Sequence, residues 1–474
     1  MMRLAGIILA IWVIALIPFK IISYGFLPPD DALRHSAKAV SGKDWSRILV
    51  LRDDIKTDSH PGWHAILSAF YKLTNCDTLS LVLFSIVFLS ILFCVTPLFF
   101  LRYHEAWLLS IVAISLAVPV WLFRLFLGRP YIFTMAALLV ICLSWPKLKQ
   151  KNINFPSAFL LISIIALSTW IHCGWYMFAL PILALLIARE WKAGLLLTIY
   201  SAVGIVIGAL ATGHPVLFFK QTILHLFLAY GTCDFQHMLV TEFRPAFGEM
   251  NIVFMAALFL IWRSLRGKWD RSAIDNPVFI LAALSFILGF VTMRVWIDWG
   301  IPALGVWLAN EFQSVLEDKI PVDSLKRVII TICVCAVLYL SVTSDAGGRW
   351  SLAKPFDFIS AEDKNQVGMV PEPGGIIYSD DMTVFYQTFF KNPKAPWRYV
   401  LGFEPALMPK EDLEVLLNIK KNFGMPKYYK PWVSKMKRED RLIIRGGPDG
   451  PPKIEGLEWH YIALGTWSGR KPQK

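Results

Sequence analysis

Nothing in this sequence staples a small fold. Its seven cysteines show no paired spacing: Cys94, Cys142, Cys173, Cys333 and Cys335 lie in or beside apolar runs, while Cys76 and Cys233 stand alone. That excludes a disulfide framework and the usual zinc motifs. No Asn-x-Ser/Thr sequon occurs, no nucleic-acid motif accompanies the basic residues, and no internal repeat is visible. The opening Met-Met-Arg and Leu4–Ser23 lack a small-x-small cleavage site, with Phe19-Lys20 where cleavage would fall, so the segment reads as a retained first helix. Charge is scarce, at 17% of residues.

What remains is apolar. At 56% hydrophobic over 474 residues, a soluble chain could not hide its own surface, so the class is a polytopic α-helical membrane protein. Nineteen Trp and fourteen Tyr fit aromatic belts at the two interfaces. Apolar runs occur near 4–23, 78–101, 106–126, 131–145, 156–172, 174–188, 193–212, 251–265, 277–293, 296–312 and 327–343, about eleven transmembrane helices. Pro215–Tyr230 is also apolar, but Lys220, Gln221 and His225 interrupt it, and it reads as an amphipathic interfacial helix.

The formal charge of +12 falls largely in short loops. Arg3, Arg102, Lys147/Lys149/Lys151, Arg189/Lys192, Arg263/Arg266/Lys268/Arg271 and Lys319/Lys326/Arg327 alternate onto one side. Cationic loops stay cytoplasmic. The expected location is therefore the cell membrane, with the N-terminus inside and the loop 24–75 and residues 344–474 outside. Within that loop Ala32–Val40 suits a helix opening after an Asp cap, and Trp63–Leu73 an interfacial helix after the break His60-Pro61-Gly62. Residues 1–343 form the transmembrane module. Residues 344–474 turn polar and form an extracytoplasmic α/β domain, with strands at Gly375–Ser379, Trp397–Phe403, Arg441–Arg445 and His460–Gly465 and helices at Thr383–Phe390 and Pro409–Phe423.

The polar residues that interrupt apolar sequence land on the outer side. They include Asp30-Asp31, Asp53-Asp54, Asp58-Ser59-His60, Arg129-Pro130-Tyr131, His172, Glu242-Phe243-Arg244 and Arg294 with Asp298. A one-sided set of this kind points to a cavity opening outward. An N-cap explains one Asp of the adjacent pair but not the second. Arg129 and Arg294 each have a plain reading as an interface anchor, and Arg294 equally suits an ion pair with Asp298 one turn on. Asp53, Asp54 and Asp58 read as a solvated acidic loop balancing Arg47, Arg52 and Lys56, and Lys427–Arg441 as a solvated face.

Four segments in this order resemble the GT-C superfamily of polyprenyl-phosphate-dependent glycosyltransferases, such as protein O-mannosyltransferases and lipid A aminoarabinose transferases. They are Pro29-Asp30-Asp31-Ala32-Leu33-Arg34-His35, His60-Pro61-Gly62-Trp63, Arg129-Pro130-Tyr131, and Arg294-Val295 with Pro302-Ala303-Leu304. The chain departs from the family pattern in having Asp for the commoner Glu in the acid pair and Gly62 for a second Pro. The resemblance implies an inverting transfer of sugar from a polyprenyl-phosphate donor to a hydroxyl on a lipid, glycan or protein acceptor. Asp30 would be the base, with Asp31 orienting it, and repulsion between the two acids would raise one pKa. Arg129 and Arg294 would hold the leaving phosphate, with Arg244, His172, His60 and Tyr131 as further substrate contacts. No cofactor is implied with certainty; a divalent metal is left open, without a dedicated ligand cluster. A transporter of lipid-linked saccharides, with an expendable acid pair, and a non-catalytic assembly subunit acting through its outer domain are the alternatives.

Overall fold

The computed structural model describes residues 2–472 except 56–57, 150–154, 231–241, 243, 247–249, 266–270, 322–323, 354–358, 364–365, 367, 446–449 and 464. Lys56, Lys151, Cys233, Phe243, Arg266 and Lys268, named above, lie outside the described residues, as does the side chain of His225.

Every apolar run is helical. Met2–Ser23, Thr78–Phe99, Tyr131–Lys149, Trp191–Leu210 and Leu325–Thr343 are long and apolar enough to cross a bilayer. The run at 106–126 is not one straight span. Helices His104–Ala117 and Pro119–Leu125 meet at 117° and count as a sixth crossing only together. Pro119 is the cause: Val118 before it leaves the helical region, at φ −136° and ψ 75°, as the proline ring disfavours a helical residue in front of it. Phe155–Ile171, Trp175–Ile187, Met250–Leu265 and Pro277–Gly289 are shorter. Ile301–Glu317 continues from a π-helical turn at Trp296–Gly300. Tyr131–Lys149 is buried nearly throughout, at the centre of the bundle. The outer helices instead show Leu4, Ile8, Trp12, Leu195, Ile199, Ile329 and Leu340 on their surface, an apolar coat that suits lipid.

The cations expected on one side do gather at one end. Arg3 donates to the Leu101 carbonyl, Arg327 pairs with Glu105 at 2.8 Å, and Arg102 lies 3.9 Å from Glu317. At the other end, helix Asp31–Ser41 starts on the Asp30 cap and helix Pro61–Thr74 begins at His60-Pro61. Pro215–Tyr230 is a helix, as expected.

The C-terminal part folds over that second end. Its five-stranded sheet runs β2-β1-β3-β5-β4, with β1 Ile376–Tyr378, β2 Arg398–Tyr399, β3 Arg441–Arg445, β4 Glu458–Ala463 and β5 Thr466–Arg470. β1 is parallel to β2 and β3, and the remaining pairs are antiparallel. The last strand is additional to the sequence reading, which stopped at Gly465; that glycine sits at φ +74°, where the chain turns back to form β5. The loop 24–75 joins this sheet: Leu49 bridges Tyr399, and the Val50 amide donates to the Tyr399 carbonyl at 2.9 Å. Trp45, Phe385, Phe389, Trp397 and Tyr399 share one apolar core with the membrane helices, so the C-terminal part is packed on the bundle rather than tethered to it.

Candidate functional site

A cavity of about 390 Å³ lies between the bundle and the C-terminal part. Asp30, Asp31, Arg129, Tyr131, His60, His172 and Arg294 all line it, so segments far apart in sequence converge. Arg244 is not among the lining residues; it is exposed, and its carbonyl accepts from the Met293 amide at 2.7 Å.

Asp30 does two jobs. Its Oδ1 accepts from the Asp31 amide at 2.6 Å, capping the helix, and its two oxygens receive the Nε and Nη2 groups of Arg129. Arg129 also donates to Glu242 and lies 3.5 Å from Asp31. Asp31 accepts from Arg34 Nε at 2.6 Å and faces the Tyr386 hydroxyl at 3.5 Å. Burial alone would push the Asp31 carboxyl up, but Arg34 and Arg129 outweigh it and hold it below the usual range. Asp31 is thus lowered rather than raised, because two guanidiniums, Arg34 and Arg129, stand against its carboxylate. Glu242 is buried too, yet Arg124, Arg129 and Arg294 hold it well below its ordinary value.

A second ion pair continues the first. Arg124 donates from Nε and Nη2 to the two oxygens of Asp298, at 2.9 and 3.0 Å, and from Nη1 to Glu242 at 2.9 Å. Arg294 Nε reaches Asp298 at 3.3 Å, the one-turn pair anticipated from spacing. The Tyr131 ring lies beneath both cations, 4.9 Å from Arg124 and 5.9 Å from Arg294. Asp30, Asp31, Glu242 and Asp298 thus face Arg34, Arg124, Arg129 and Arg294, four acids balanced by four guanidiniums.

Two further guanidiniums line the cavity. Arg34 stacks on Phe403 at 3.9 Å, and its Nη1 is buried without a hydrogen-bond partner among the described residues. Arg294 keeps a quarter of its side chain exposed (25%), against 12% for Arg129. Arg129, the first choice from sequence for phosphate, is committed to three carboxylates instead.

Sequence reasoning passed over Arg124, Arg34, Tyr386, Glu404 and Asp381, of which all but Arg124 line the cavity. Arg124 carried a readable signal, a charge inside an apolar run. The three from the C-terminal part carried none, since only the tertiary fold brings them over the acids. Among the described residues, no three His, Cys, Asp or Glu side chains are arranged to hold a metal ion.

No family model matches this sequence, and no curated protein does. Among solved structures, the crystal structure of ArnT from Cupriavidus metallidurans bound to undecaprenyl phosphate shares the fold. The match covers 98% of this chain and 99% of that one, with a TM-score of 0.59 and 13% identity. At that identity the likeness is one of fold, and it agrees with the architecture expected from sequence: a polytopic helical membrane protein with a C-terminal α/β part.

Proposed function

We propose that this chain is an integral membrane glycosyltransferase that moves a sugar from a polyprenyl-phosphate donor to a hydroxyl acceptor. The observation that carries the reading is the acid pair of Asp30 and Asp31 set among guanidiniums in one cavity between bundle and outer part. The shared fold adds weight, because the solved ArnT was bound to undecaprenyl phosphate. The cavity faces outward, with the N-terminus cytoplasmic, following the positive-inside bias.

In this reading the acceptor oxygen attacks the anomeric carbon as Asp30 takes its proton, and inversion follows from attack opposite the phosphate. The C–O bond to phosphate breaks and its electron pair leaves on the phosphate oxygen. Arg34 and Arg294 meet that charge, since both line the cavity, Arg34 with a buried Nη1 that has no partner among the described residues and Arg294 with a quarter of its side chain exposed. Arg129 fixes Asp30 in place and yields it as the acceptor hydroxyl competes for the carboxylate. Tyr131 supports Arg294, while His60 and His172 line the wall nearest the helix Pro61–Thr74.

Proteoliposomes offered a mixed pool of radiolabelled polyprenyl-phosphate sugars test the reading. Label should move to an acceptor in wild type, and Arg294→Ala should lower kcat on the order of 10²-fold, the usual cost of losing one charge-stabilising donor. Label crossing the bilayer without transfer would mark a transporter instead.

A further inference from the structure

Beside the cavity lies a file of imidazoles that the reaction above leaves unexplained. Asp58 accepts from His64 Nδ1, and His64 Nε2 shares a 2.7 Å hydrogen bond with His35 Nδ1. The His35 ring meets His60 edge-on with centroids 5.0 Å apart, and His60 meets His172 at 5.5 Å. His60 lines the cavity, while Asp58 at the far end keeps 22% of its side chain exposed.

The hydrogen bonds fix the tautomers. A carboxylate can only accept, so His64 carries its proton on Nδ1 and offers a lone pair at Nε2. His35 must then donate from Nδ1, which leaves a lone pair on its Nε2. That Nε2 is buried and has no partner among the described residues, and neither does His60 Nδ1 on the facing ring. Two buried orphans on adjacent rings need an explanation, because each costs the desolvation of a polar group. They are complementary: an N–H on His60 Nδ1, bridged by one water, satisfies the His35 lone pair. His60 would then turn a lone pair at Nε2 toward the cavity.

We propose that His60, His35, His64 and Asp58 form a proton relay that carries the proton released in the cavity out to solvent. The proposal rests on the transferase reading for the source of the proton. After Asp30 takes it, cavity water passes it to His60 Nε2. His60 gives up its Nδ1 proton to the bridging water, which protonates His35 Nε2. His35 releases its Nδ1 proton to His64 Nε2, and the charge rests on His64 against Asp58 before leaving to water. One bond to hydrogen forms at each step as one breaks. The groups facing the file are Arg34 and Lys38 from helix Asp31–Ser41, together with His172. Burial, then Arg34 and the neighbouring imidazoles, keeps His35 and His60 neutral, as a relay at rest requires.

The test uses the full-length chain labelled with ¹⁵N-histidine in phosphatidylcholine nanodiscs, reading each tautomer from its nitrogen shifts. Wild type should show His64, His35 and His60 all protonated on Nδ1 at neutral pH. Asp58→Ala should release His64 and convert part of His35 to the Nε2 tautomer; if that variant fails to fold, the wild-type pattern alone decides. A His35 proton on Nε2 in wild type, or a His35 tautomer indifferent to Asp58→Ala, overturns the relay without reference to activity. In the transfer assay His35→Gln should lower kcat about tenfold or more, leave KM unchanged and alter the acidic limb of the pH profile. An unchanged kcat and pH profile overturns the relay's role in turnover. Absence of transfer by wild type from any donor overturns the transferase reading instead, and with it the proton's source.

Discussion

Arg129 Nε donates to Asp30 Oδ1 at 3.1 Å across ninety-nine positions of sequence, tying the start of the central helix to the cap of the first outer helix. The pair is largely buried, with side-chain exposures of 12% and 20%, and breaking such a pair from one side strands a charge. Arg129→Met should therefore destabilise the fold by about 3 kcal/mol. Asp30→Asn combined with Arg129→Met should cost less than the sum of the two single changes. Unfolding by SDS titration in detergent micelles measures all three, and additive losses would mean the two residues do not interact.

Arg34 offers the clearest unspent donor. Its Nη1 is buried without a partner, and Phe403 holds the guanidinium flat from the other face. Arg34→Gln should weaken binding of undecaprenyl phosphate roughly tenfold to a hundredfold, the worth of one charged hydrogen bond. Binding in nanodiscs at fixed ionic strength checks it. Equal affinity would move the phosphate elsewhere in the cavity.

Stability should fall on mild acidification. Burial, with Arg34 and the neighbouring imidazoles, holds His35 and His60 well below the ordinary histidine value of 6.5. The unfolded chain binds those protons below 6.5 and the native chain refuses them, so stability is complete above that pH and is lost progressively as pH drops below it. The thermal midpoint in micelles should decline from pH 7 to pH 5, and His35→Gln should flatten the decline. Equal slopes for both proteins would contradict the burial of a neutral His35.

Gly62, which follows Pro61 at the start of its helix, has a local reason. A Cβ there would lie 2.5 Å from the Trp170 ring and 2.8 Å from the Trp170 carbonyl, so proline or alanine does not fit. Gly62→Ala should push helix Pro61–Thr74 off Trp170 and cost about 1–3 kcal/mol, as overpacking does. A Trp170→Leu change in the same chain should recover part of the loss only if the ring is the main obstacle; no recovery would assign the strain to the backbone carbonyl.

Much of this architecture was legible in the chain itself. Hydropathy marked each helix because a lipid-facing segment is apolar all round, and Asp30 announced its helix because an N-cap is a local device. Local chemistry also foretold the Arg294–Asp298 pair, one turn apart. The Pro119 break was missed because the apolar run continues through it without change of composition. Arg124 was missed because its run was counted as span, and the ion pairs of Arg129 were not legible because its three carboxylates lie in two other segments, Asp30-Asp31 and Glu242. The cavity-lining residues Asp381, Tyr386, Phe403 and Glu404 belong to a part of the chain some 350 residues from Asp31, as the Tyr386–Asp31 separation of 355 shows. No periodicity or motif encodes a contact of that span.

The most direct test of the account compares wild type with Asp30→Asn for transfer of radiolabel from polyprenyl-phosphate sugars in proteoliposomes. Asparagine keeps the size and the helix-capping oxygen while losing the charge and the basic site. Transfer by wild type with loss of at least about 10²-fold in the variant is the predicted result. Equal transfer by the two proteins would contradict it and place the base elsewhere in the cavity.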